Sequence, residues 1–407
     1  MTSPTILIFE PDATGHHSVY LRHLLNGIAP TIKDPTVILL TSQDAANHEG
    51  FQRLLADFGA FLQIRTVAPA PGKTGFGRLI PDFYWRQWKG AKMLAQGIDD
   101  LGSNRIDCIL LPHLESIGLL PLALRPAILR GHRWLAVTNA TKFHHRQAGI
   151  DGPYRWQDGI QRWLFAKILR QPNLIRMFVV DPFLVPLLHH SKLAWAPDPV
   201  IPPQLTDPLA ARRAYGLRAE TFVILVFGFI SQRKCVDALL KGVARLGPDL
   251  DVTVFLAGSQ HGRHREAMAN SEVAARLREQ GRLVELDRYI VDGEDSDPMA
   301  TADICWVVYD RTWMMPSGVL LLAGLSQRAV ICRRRGVIGR LVAQYQCGLT
   351  LESDEPDRVA EAITILVRDP VLRKRMGSNG YDAFVHQTPE RFAQPIIDDI
   401  AVSLAAP

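Results

Sequence analysis

Short runs of apolar residues alternate with longer amphipathic stretches along the whole chain. The runs are continuously apolar, which is typical of parallel strands buried on both faces. In the first half the predicted strands are Thr5–Phe9, Thr36–Thr41, Phe61–Val67, Ile106–Leu111, Trp134–Thr138 and Arg176–Val180. Helical patterns lie between them, for example from His17 to about Ile28 and over Tyr154–Arg170. This βαβ rhythm predicts a doubly wound parallel α/β sheet.

Prolines interrupt the rhythm near the middle of the chain. Ala196-Pro197-Asp198-Pro199 is followed by Ile201-Pro202-Pro203, a composition that predicts a stiff linker. We therefore expect an N-terminal α/β domain over 1–197, a linker over 198–204, a second α/β domain over 205–388, and a C-terminal helix over 389–407 that packs back on the N-terminal domain.

The same alternation resumes after the linker. The predicted strands are Phe222–Phe227, Val252–Ala257, Leu283–Leu286, Ile304–Tyr309, Ala329–Cys332 and Leu349–Leu351. The predicted helices are Val236–Leu246, Arg263–Gln280, Gly318–Ser326 and Pro356–Arg368, with a broken helical tail from Pro370 to about Leu404. Sheets of this kind bind ligands beyond the carboxyl ends of their strands, so we expect the site in a cleft between the two halves.

Composition and charge narrow the possible partners. Of the 407 residues, 47% are hydrophobic, and 46 Lys and Arg against 41 Asp and Glu leave a net charge of +5. This excess is too small to predict a nucleic-acid partner, and it suits an anionic ligand or an anionic membrane surface. The five cysteines show no CxxC spacing, which argues against a disulfide framework or a zinc ribbon and favours a reducing compartment.

No segment indicates secretion or a membrane span. The start MTSPTILIFEP lacks a basic region followed by a long apolar one. No run approaches the roughly 18 apolar residues of a transmembrane helix. We therefore expect a cytoplasmic protein, with at most peripheral membrane contact.

Three pairs of adjacent histidines, His16-His17, His144-His145 and His189-His190, are candidate metal ligands. Adjacent side chains point apart on a helix or a strand, so such a pair rarely chelates one ion. We expect no metal site.

An anion site is predicted where a buried strand ends at Gly228 and a short polar loop leads to Arg233 and Lys234. These cations are predicted to open the next helix, although cations add unfavourably to the positive end of a helix dipole. A bound anion would offset that cost. A solvated surface pair is the alternative.

A second anion site is predicted at Met315–Ala323, where Pro316 suits a first helical turn. Free N–H groups at Ser317, Gly318 and Val319 would cradle a phosphate. An ordinary buried helix is the alternative. The two segments together predict a diphosphate pocket.

These segments resemble glycosyltransferases of the GT-B fold, specifically the retaining family called GT4 or group 1, over nearly the whole chain. The matching features are Gly15-His16-His17 after the first strand, Ala196–Pro199 at the linker, Gly228 and Lys234, Val254–Gly258, Tyr289, Ala302–Ile304, Tyr309, Ser317–Val319, Ala329–Ile331 and Gly336–Gly339. The resemblance implies two Rossmann-like doubly wound parallel-sheet domains facing a central cleft. It assigns the acceptor to the first domain and the donor to the second, and it lines the donor pocket with Gly15, Gly228, Gly258, Tyr289 and Tyr309.

One departure from the family concerns the donor. The family usually carries two Glu residues eight positions apart, the second of which holds the nucleotide ribose. Met314 and Leu322 occupy these positions here, and Gln327 replaces a usual glycine. Leaving the ribose hydroxyls unpaired would cost about 1–3 kcal/mol of binding. Donor recognition is therefore altered, or activity has been lost.

The resemblance implies transfer of a hexosyl or related group from a nucleotide sugar to an acceptor hydroxyl, with retention of the anomeric configuration. Arg233, Lys234 and the helix start at Ser317 would neutralise the leaving diphosphate, so neither a metal nor another cofactor is expected. His16 and His113 each follow an N-domain strand and are the candidates for groups near the sugar, with loop or packing histidines as the alternative.

Aromatic and basic residues alternate in two stretches of the first half, 78–93 and 154–170. This pattern suits an anionic membrane interface and a lipid-linked or other glycan acceptor, as in bacterial polysaccharide or cell-envelope assembly. Two ordinary helices that pack their aromatics inward are the alternative.

Two other functions remain open from the sequence. The missing Glu pair favours a non-catalytic relative that acts as a partner or scaffold subunit. A sugar-nucleotide epimerase would interconvert two nucleotide sugars without an acceptor.

Overall fold

The computed structural model describes residues 3–13, 17–68, 81–102, 105–153, 155–290 and 294–405. The chain forms two compact units. The first comprises Met1–Ala148, Tyr154–Pro199 and Thr388–Pro407, and the second comprises Gly149–Pro153 and Val200–Gln387.

The first unit contains seven strands and eight α-helices within the described residues. Its strands are β1 (Thr5–Phe9), β2 (Thr36–Ser42), β3 (Leu62–Val67), β4 (Cys108–Leu111), β5 (Trp134–Thr138), β6 (Leu174–Val179) and β7 (Leu193–Trp195). Its helices are α1 (His17–Thr31), α2 (Gln43–Ala46), α3 (Glu49–Phe58), α4 (Asp82–Leu101), α5 (Leu119–Leu124), α6 (Gln157–Leu169), α7 (Val185–Leu188) and α17 (Pro389–Ala405).

The second unit repeats this construction with six strands and nine α-helices within the described residues. Its strands are β8 (Phe222–Phe227), β9 (Val252–Ala257), β10 (Leu283–Leu286), β11 (Ile304–Val307), β12 (Ala329–Arg333) and β13 (Gly348–Leu351). Its helices are α8 (Pro208–Ala214), α9 (Val236–Val243), α10 (Gly262–Ala269), α11 (Glu272–Glu279), α12 (Ser296–Thr301), α13 (Gly318–Leu325), α14 (Gly336–Tyr345), α15 (Pro356–Arg368) and α16 (Pro370–Phe384).

Both sheets are parallel, which confirms the predicted fold class. The first has the order β3-β2-β1-β4-β5-β6-β7 and the second the order β10-β9-β8-β11-β12-β13. In each sheet the strand order reverses beside the first strand, between β1 and β4 and between β8 and β11. Chain connections diverge at such a point and leave a crevice at the carboxyl ends of the strands.

The burial of β1 shows why its sequence is apolar throughout. Ile6 and Ile8 enter one core cluster with residues of α1 and α17. Leu7 and Phe9 enter a second cluster with residues of α4 and α6 on the other face. Helices therefore cover both faces of the sheet, so neither face of the strand is left for polar side chains.

Strand β4 begins two residues later than predicted, β6 begins two residues earlier, and α9 ends at Val243 instead of Leu246. Three further local features differ from the sequence-based prediction. The three-residue edge strand β7 was not predicted, because it is too short to form an apolar run. The predicted helix Arg263–Gln280 is two helices, since the Ser271 hydroxyl accepts a hydrogen bond from Ala274 N at 3.2 Å and caps α11. The strand predicted over Ile304–Tyr309 ends at Val307. None of the helices in the described ranges is long and apolar enough to cross a membrane.

Candidate functional site

The end of β8 brings together residues from three separate segments of the second unit. Gly228 has a φ of +87°, and a Cβ there would lie 3.7 Å from Lys234 Nζ and 4.0 Å from a methyl of Val319. Gly258 has a φ of +141°, and a Cβ there would lie 2.0 Å from Gly228 O. Both positions need glycine because an L side chain rarely adopts these angles and space is lacking at Gly258. The structure thus places Gly228, Gly258, Lys234 and Val319 side by side.

Lys234 is a buried cation at the centre of this group, with 4% of its surface exposed. Its Nζ donates to Phe227 O, and its own carbonyl accepts from Trp306 Nε1 at 3.0 Å. Burial, followed by repulsion from Arg233, lowers the pKa of Lys234 to about 7. An anion beside Nζ would favour the charged form and raise that pKa.

The two predicted cations precede the helix instead of opening it. Arg233 and Lys234 close a 3₁₀ turn over Gln232–Lys234, and α9 begins at Val236. Cys235, which lies between the turn and the helix, has a φ of +48°. This left-handed conformation separates the turn from the helix. The cations therefore avoid the first turn of the helix dipole.

The start of α13 supplies backbone donors beside Lys234. Ser317 occupies the N-cap position, but its side chain makes no capping hydrogen bond. Its hydroxyl instead lies 2.9 Å from Tyr309 OH. The amides of a first helical turn have no acceptor within the helix, so those of Gly318 and Val319 suit an anion.

Tyr309, Trp313 and Arg233 form a stack next to this helix start. The rings of Tyr309 and Trp313 are 5.1 Å apart and nearly parallel, and the Arg233 guanidinium lies 4.7 Å from the Trp313 ring centre. Arg233 Nε and Trp313 Nε1 are buried and make no hydrogen bond to any described residue. Both N–H groups can therefore donate hydrogen bonds to anionic oxygens of a ligand.

The sequence analysis missed Trp313. Its place between Tyr309 and Ser317, in the loop that joins two predicted site segments, is the signal that could have found it.

Three other predicted positions are placed as follows. Tyr289 follows the edge strand β10, with 59% of its surface exposed and two strands away from Gly228. Met314 and Leu322, at the positions where the family usually has Glu, are both buried. A Cβ on Gly152 would lie 2.2 Å from the Met314 methyl, so Met314 packs under the Gly149–Pro153 segment.

The first unit carries a separate polar group at its own strand reversal. Glu10 directly follows β1, and His113 lies two residues after β4, the neighbouring strand. His113 Nδ1 lies 2.5 Å from one Glu10 oxygen, and His17 Nδ1 lies 2.8 Å from the other. The two imidazoles stack with their centres 3.9 Å apart. The carboxylate therefore contacts both rings, through a hydrogen bond to His113 and a close approach to His17.

The electrostatic interactions within this group favour an ionised Glu10 and a protonated His17. Burial raises the pKa of Glu10, but His113 and His17 lower it by more, so its pKa lies below the usual value. Burial lowers the pKa of His17, but Glu10, together with Asp12 and Glu115, raises it by more, so its pKa lies above the usual value. Glu10 is therefore ionised at neutral pH and favours protonation of His17.

Of the predicted first-unit residues, His113 lies in this group, whereas Gly15 and His16 fall outside the described residues. Glu10 was missed by the sequence analysis, and His17 was considered only as half of a histidine pair and as part of the loop Gly15-His16-His17. The signal for Glu10 was its position as the first polar residue beyond a buried strand.

A second carboxylate lies close by at the carboxyl end of β5. Glu115 Oε1 accepts from the Thr138 hydroxyl at 2.6 Å and from the backbone N–H groups of Asn139 and Ala140 at 2.9 Å each. Glu115 Oε2 is buried and has no hydrogen-bond partner among the described residues. This oxygen can accept from a ligand hydroxyl.

Two groups of three side chains in the described parts of the first unit have the composition of metal ligands. They are Glu10, His17 and His113, and His144, His145 and Asp181. In each group the ligand atoms lie within 4.8 Å of one another.

The two aromatic and basic stretches are described over 81–93 and 155–170. On α4, Phe83 is 54% exposed, and Trp88 lies under the Lys92 ammonium. On and just before α6, Trp156 is 71%, Ile160 46% and Trp163 55% exposed. The rings of Trp156 and Trp163 therefore do not pack inward, whereas the Phe165 ring of the same helix is buried in the core.

No family model and no curated protein matches the chain. Among solved structures, HepE of Anabaena in complex with UDP is 15% identical with a TM-score of 0.68, over 98% of this chain and 100% of HepE. A glycosyltransferase from Rickettsia africae is 14% identical with a TM-score of 0.68 over 100% of both chains. WaaG, a glycosyltransferase involved in lipopolysaccharide biosynthesis, is 14% identical with a TM-score of 0.64, over 97% of this chain and 99% of WaaG.

The chain has the GT-B fold. Identities of 14% and 15% establish this fold and nothing finer, because one fold hosts many chemistries. The activity of this GT-B protein has to be argued from its own residues.

Proposed function

We propose that the protein is a retaining, metal-independent glycosyltransferase that moves a sugar from a nucleotide sugar to an acceptor hydroxyl. The observation that carries the proposal is the meeting of Gly228, Lys234 and Val319 beside the uncapped start of α13. A glycine that admits a phosphate, a buried ammonium and free helix amides are what a diphosphate requires.

The donor diphosphate lies between the two cations and the helix in this proposal. Lys234 and Arg233 neutralise the charge that develops on the leaving group, and the amides of Gly318 and Val319 bind its oxygens. No metal ion is needed for that task. HepE, a structural neighbour, has been solved with UDP and with UDP-glucose, so uridine nucleotides are the first donors to test.

The acceptor hydroxyl attacks from the face that the diphosphate leaves, and a phosphate oxygen takes the proton of the hydroxyl. His113, oriented by Glu10, is the described side chain that we assign to the sugar or the acceptor. The proposed family is GT4, and the proposed role is in bacterial polysaccharide or cell-envelope glycan assembly.

We assign the acceptor to a lipid-linked or other glycan at the cytoplasmic face of the cell membrane. The exposed side chains of Trp156, Ile160 and Trp163 lie near Arg155 and Arg162 in sequence, and the Lys167 ammonium lies 5.2 Å from the Trp163 ring centre. Exposed apolar groups among cations suit an interface with anionic lipid.

A non-catalytic GT-B subunit is the second candidate. Met314 and Leu322 are buried apolar side chains where the family usually has carboxylates. A protein that lost the ribose acceptor could keep the phosphate site and bind a nucleotide without turnover.

Calorimetric titration with UDP, GDP and ADP tests the proposal. The double substitution Arg233→Ala/Lys234→Ala should weaken binding about 100-fold or more, because each charge-assisted hydrogen bond contributes about 1.5–3 kcal/mol. The matched control is Lys241→Ala/Arg245→Ala, which removes two exposed cations from the same unit.

The outcomes separate the candidates. Equal nucleotide affinity in the wild type and in Arg233→Ala/Lys234→Ala would refute the diphosphate site. Tight nucleotide binding without hydrolysis or transfer of any matching sugar nucleotide would establish the non-catalytic subunit. Slow hydrolysis of one donor, lost in the double variant, would support the transferase.

A further inference from the structure

His144, His145 and Asp181 form a buried cluster that the proposed transfer reaction does not use. His144 and His145 lie in consecutive turns after β5, and Asp181 lies two residues after the neighbouring strand β6. The exposed fractions are 0% for His144, 6% for His145 and 1% for Asp181. Polar side chains buried to this degree have a partner or a ligand.

The cluster converges on a single oxygen. His144 Nε2 lies 3.0 Å and His145 Nε2 lies 3.3 Å from Asp181 Oδ2. The two rings meet edge to face at 77° with their centres 4.7 Å apart, so they approach the oxygen from different directions. Adjacent histidines can do this here because they lie in turns, where successive side chains need not point apart.

The spacing matches that of ligands around a tetrahedral metal ion. Zinc lies about 2.0–2.1 Å from imidazole nitrogen and carboxylate oxygen, which places neighbouring ligand atoms about 3.3 Å apart. The separations from Oδ2 of 3.0 and 3.3 Å are close to this value. An ion can therefore bind with small movements of the side chains.

We propose that His144, His145 and Asp181 bind a divalent transition-metal ion, zinc in the first instance, with water as the fourth ligand. Two imidazoles and one carboxylate are a ligand set for zinc, whereas magnesium and calcium prefer oxygen ligands throughout. The ion replaces the hydrogen bonds between the imidazoles and Oδ2.

Neighbouring groups support the coordination. Asp181 Oδ1 accepts from Phe183 N at 2.9 Å, which orients the carboxylate and leaves Oδ2 toward the histidines. Without a metal, Asp181 Oδ2 accepts from His144 Nε2–H, so metal binding has to displace that proton. The displaced tautomer carries its proton on His144 Nδ1, which makes no hydrogen bond to a described residue.

Such an ion would fasten the turns after β5 to the end of β6. The chain between these elements includes Gly149–Pro153, which belongs to the second unit, and α6 with its exposed face. The proposed role of the ion is to hold these turns in place, and it is independent of the metal-free chemistry proposed at the diphosphate.

The test uses full-length protein without a polyhistidine tag. The protein is stripped with a chelator, dialysed against zinc chloride, freed of unbound metal by gel filtration and assayed for zinc by mass spectrometry. We expect about one zinc ion per chain. Asp181→Asn and His145→Gln should each weaken zinc binding at least about tenfold, measured by competition with a chromophoric chelator.

Two controls separate this cluster from others. His189→Gln/His190→Gln removes an adjacent pair outside the cluster, and Glu10→Gln/His17→Gln disables the other group of possible ligands. Both should retain wild-type zinc affinity. Zinc loss in Glu10→Gln/His17→Gln alone would move the site to that group and overturn the proposal.

If a variant does not fold, cobalt binding by the wild-type protein still tests the proposal. Wild-type protein loaded with Co²⁺ should show the intense visible absorption of a tetrahedral site, and zinc should abolish it. Wild-type protein that binds neither zinc nor cobalt after gel filtration would overturn the proposal and leave a hydrogen-bonded Asp–His–His cluster.

Discussion

The protonation state of Lys234 depends on what is bound next to its ammonium group. An unfolded lysine keeps its proton up to about pH 10.4, whereas burial lowers the pKa of Lys234 to about 7. Between these values the unfolded chain binds more protons, so this residue makes the free energy of unfolding rise with pH. An anion reverses the preference because it favours the protonated form.

The nucleotide affinity of the wild type should therefore fall as pH rises from about 7 to about 9. Only protonated Lys234 attracts the diphosphate, so the dissociation constant should rise by up to about tenfold per pH unit above the pKa. Lys234→Arg should remove most of this slope, because a guanidinium stays charged. Calorimetry of UDP across this range measures both proteins, and identical slopes would show that Lys234 does not titrate in the site.

In the proposed mechanism, Glu10 is a positioning residue that acts through His113. Its carboxylate accepts from Nδ1–H, so in the neutral ring the proton is on Nδ1 and Nε2 can accept a hydrogen bond. An amide in its place can donate to Nδ1 and so favours the opposite tautomer.

Glu10→Gln should lower the transfer rate about 100-fold or more and leave UDP affinity unchanged. Glu49→Gln, which removes an exposed carboxylate of the same unit, is the matched control. Steady-state kinetics with the identified donor, together with UDP calorimetry, measure the two quantities. A lost UDP affinity or an unchanged rate would contradict the role assigned to Glu10.

The bounds of secondary-structure elements were predicted accurately where burial on both faces makes a strand mostly apolar. Strands β1, β8 and β9 have the predicted bounds, and nearly all of their residues are buried. The edge strand β10 also has its predicted bounds, although Val284, Glu285 and Leu286 are only half-buried. Helix α15 also has its predicted bounds, which Pro356 at its start and Asp369 after its end mark in the sequence. The cap at Ser271 was missed because a serine within a helical pattern is equally compatible with a continuous helix.

The exposed face of α6 leads to a prediction about membranes. Trp156→Ala/Trp163→Ala should reduce binding to vesicles that contain anionic phosphatidylglycerol, because it removes the two most exposed aromatic rings near Arg155 and Arg162. Co-sedimentation measures the bound fraction. Val371→Ala, a change at a 76% exposed residue of the second unit, is the control. Equal binding of the tryptophan variant and the wild type would refute the proposed membrane contact of this surface.

At the scale of the whole molecule, the two ends of the chain meet in one core. Helix α17 packs on α1, and its residues Phe392, Ile396, Ile397 and Ile400 are fully buried. The Phe392 ring lies 4.8 Å from the Tyr20 ring, and the Tyr20 hydroxyl donates to Asp198 at 2.6 Å. The first unit is therefore completed only after the second has been synthesised.

Phe392→Ala should lower the free energy of unfolding by about 3–5 kcal/mol, the usual cost of removing a buried phenylalanine ring. Val402→Ala on the same helix, at a residue that is 70% exposed, should change it by less than about 0.5 kcal/mol. Urea denaturation followed by far-ultraviolet circular dichroism measures both. Similar losses in the two variants would show that α17 does not complete the core.

The sequence by itself determined the α/β class, most of the strands and the segments that meet at the proposed diphosphate site. These properties follow from local patterns: continuous apolar runs, glycines at strand ends, and a proline before a buried helix. Gly228, Lys234 and Ser317–Val319 could be predicted together because they follow strands β8 and β11, whose carboxyl ends adjoin in the sheet.

Only the tertiary structure decided which polar side chains share a site. Glu10 and His113 are 103 residues apart, and His144 and Asp181 are 37 apart, and no periodicity links either pair. The tertiary structure also decided the protonation state of Lys234, because the pKa of an ammonium depends on burial by residues from other strands. Contacts between distant segments depend on strand order and side-chain direction, which the local hydrophobic pattern does not encode.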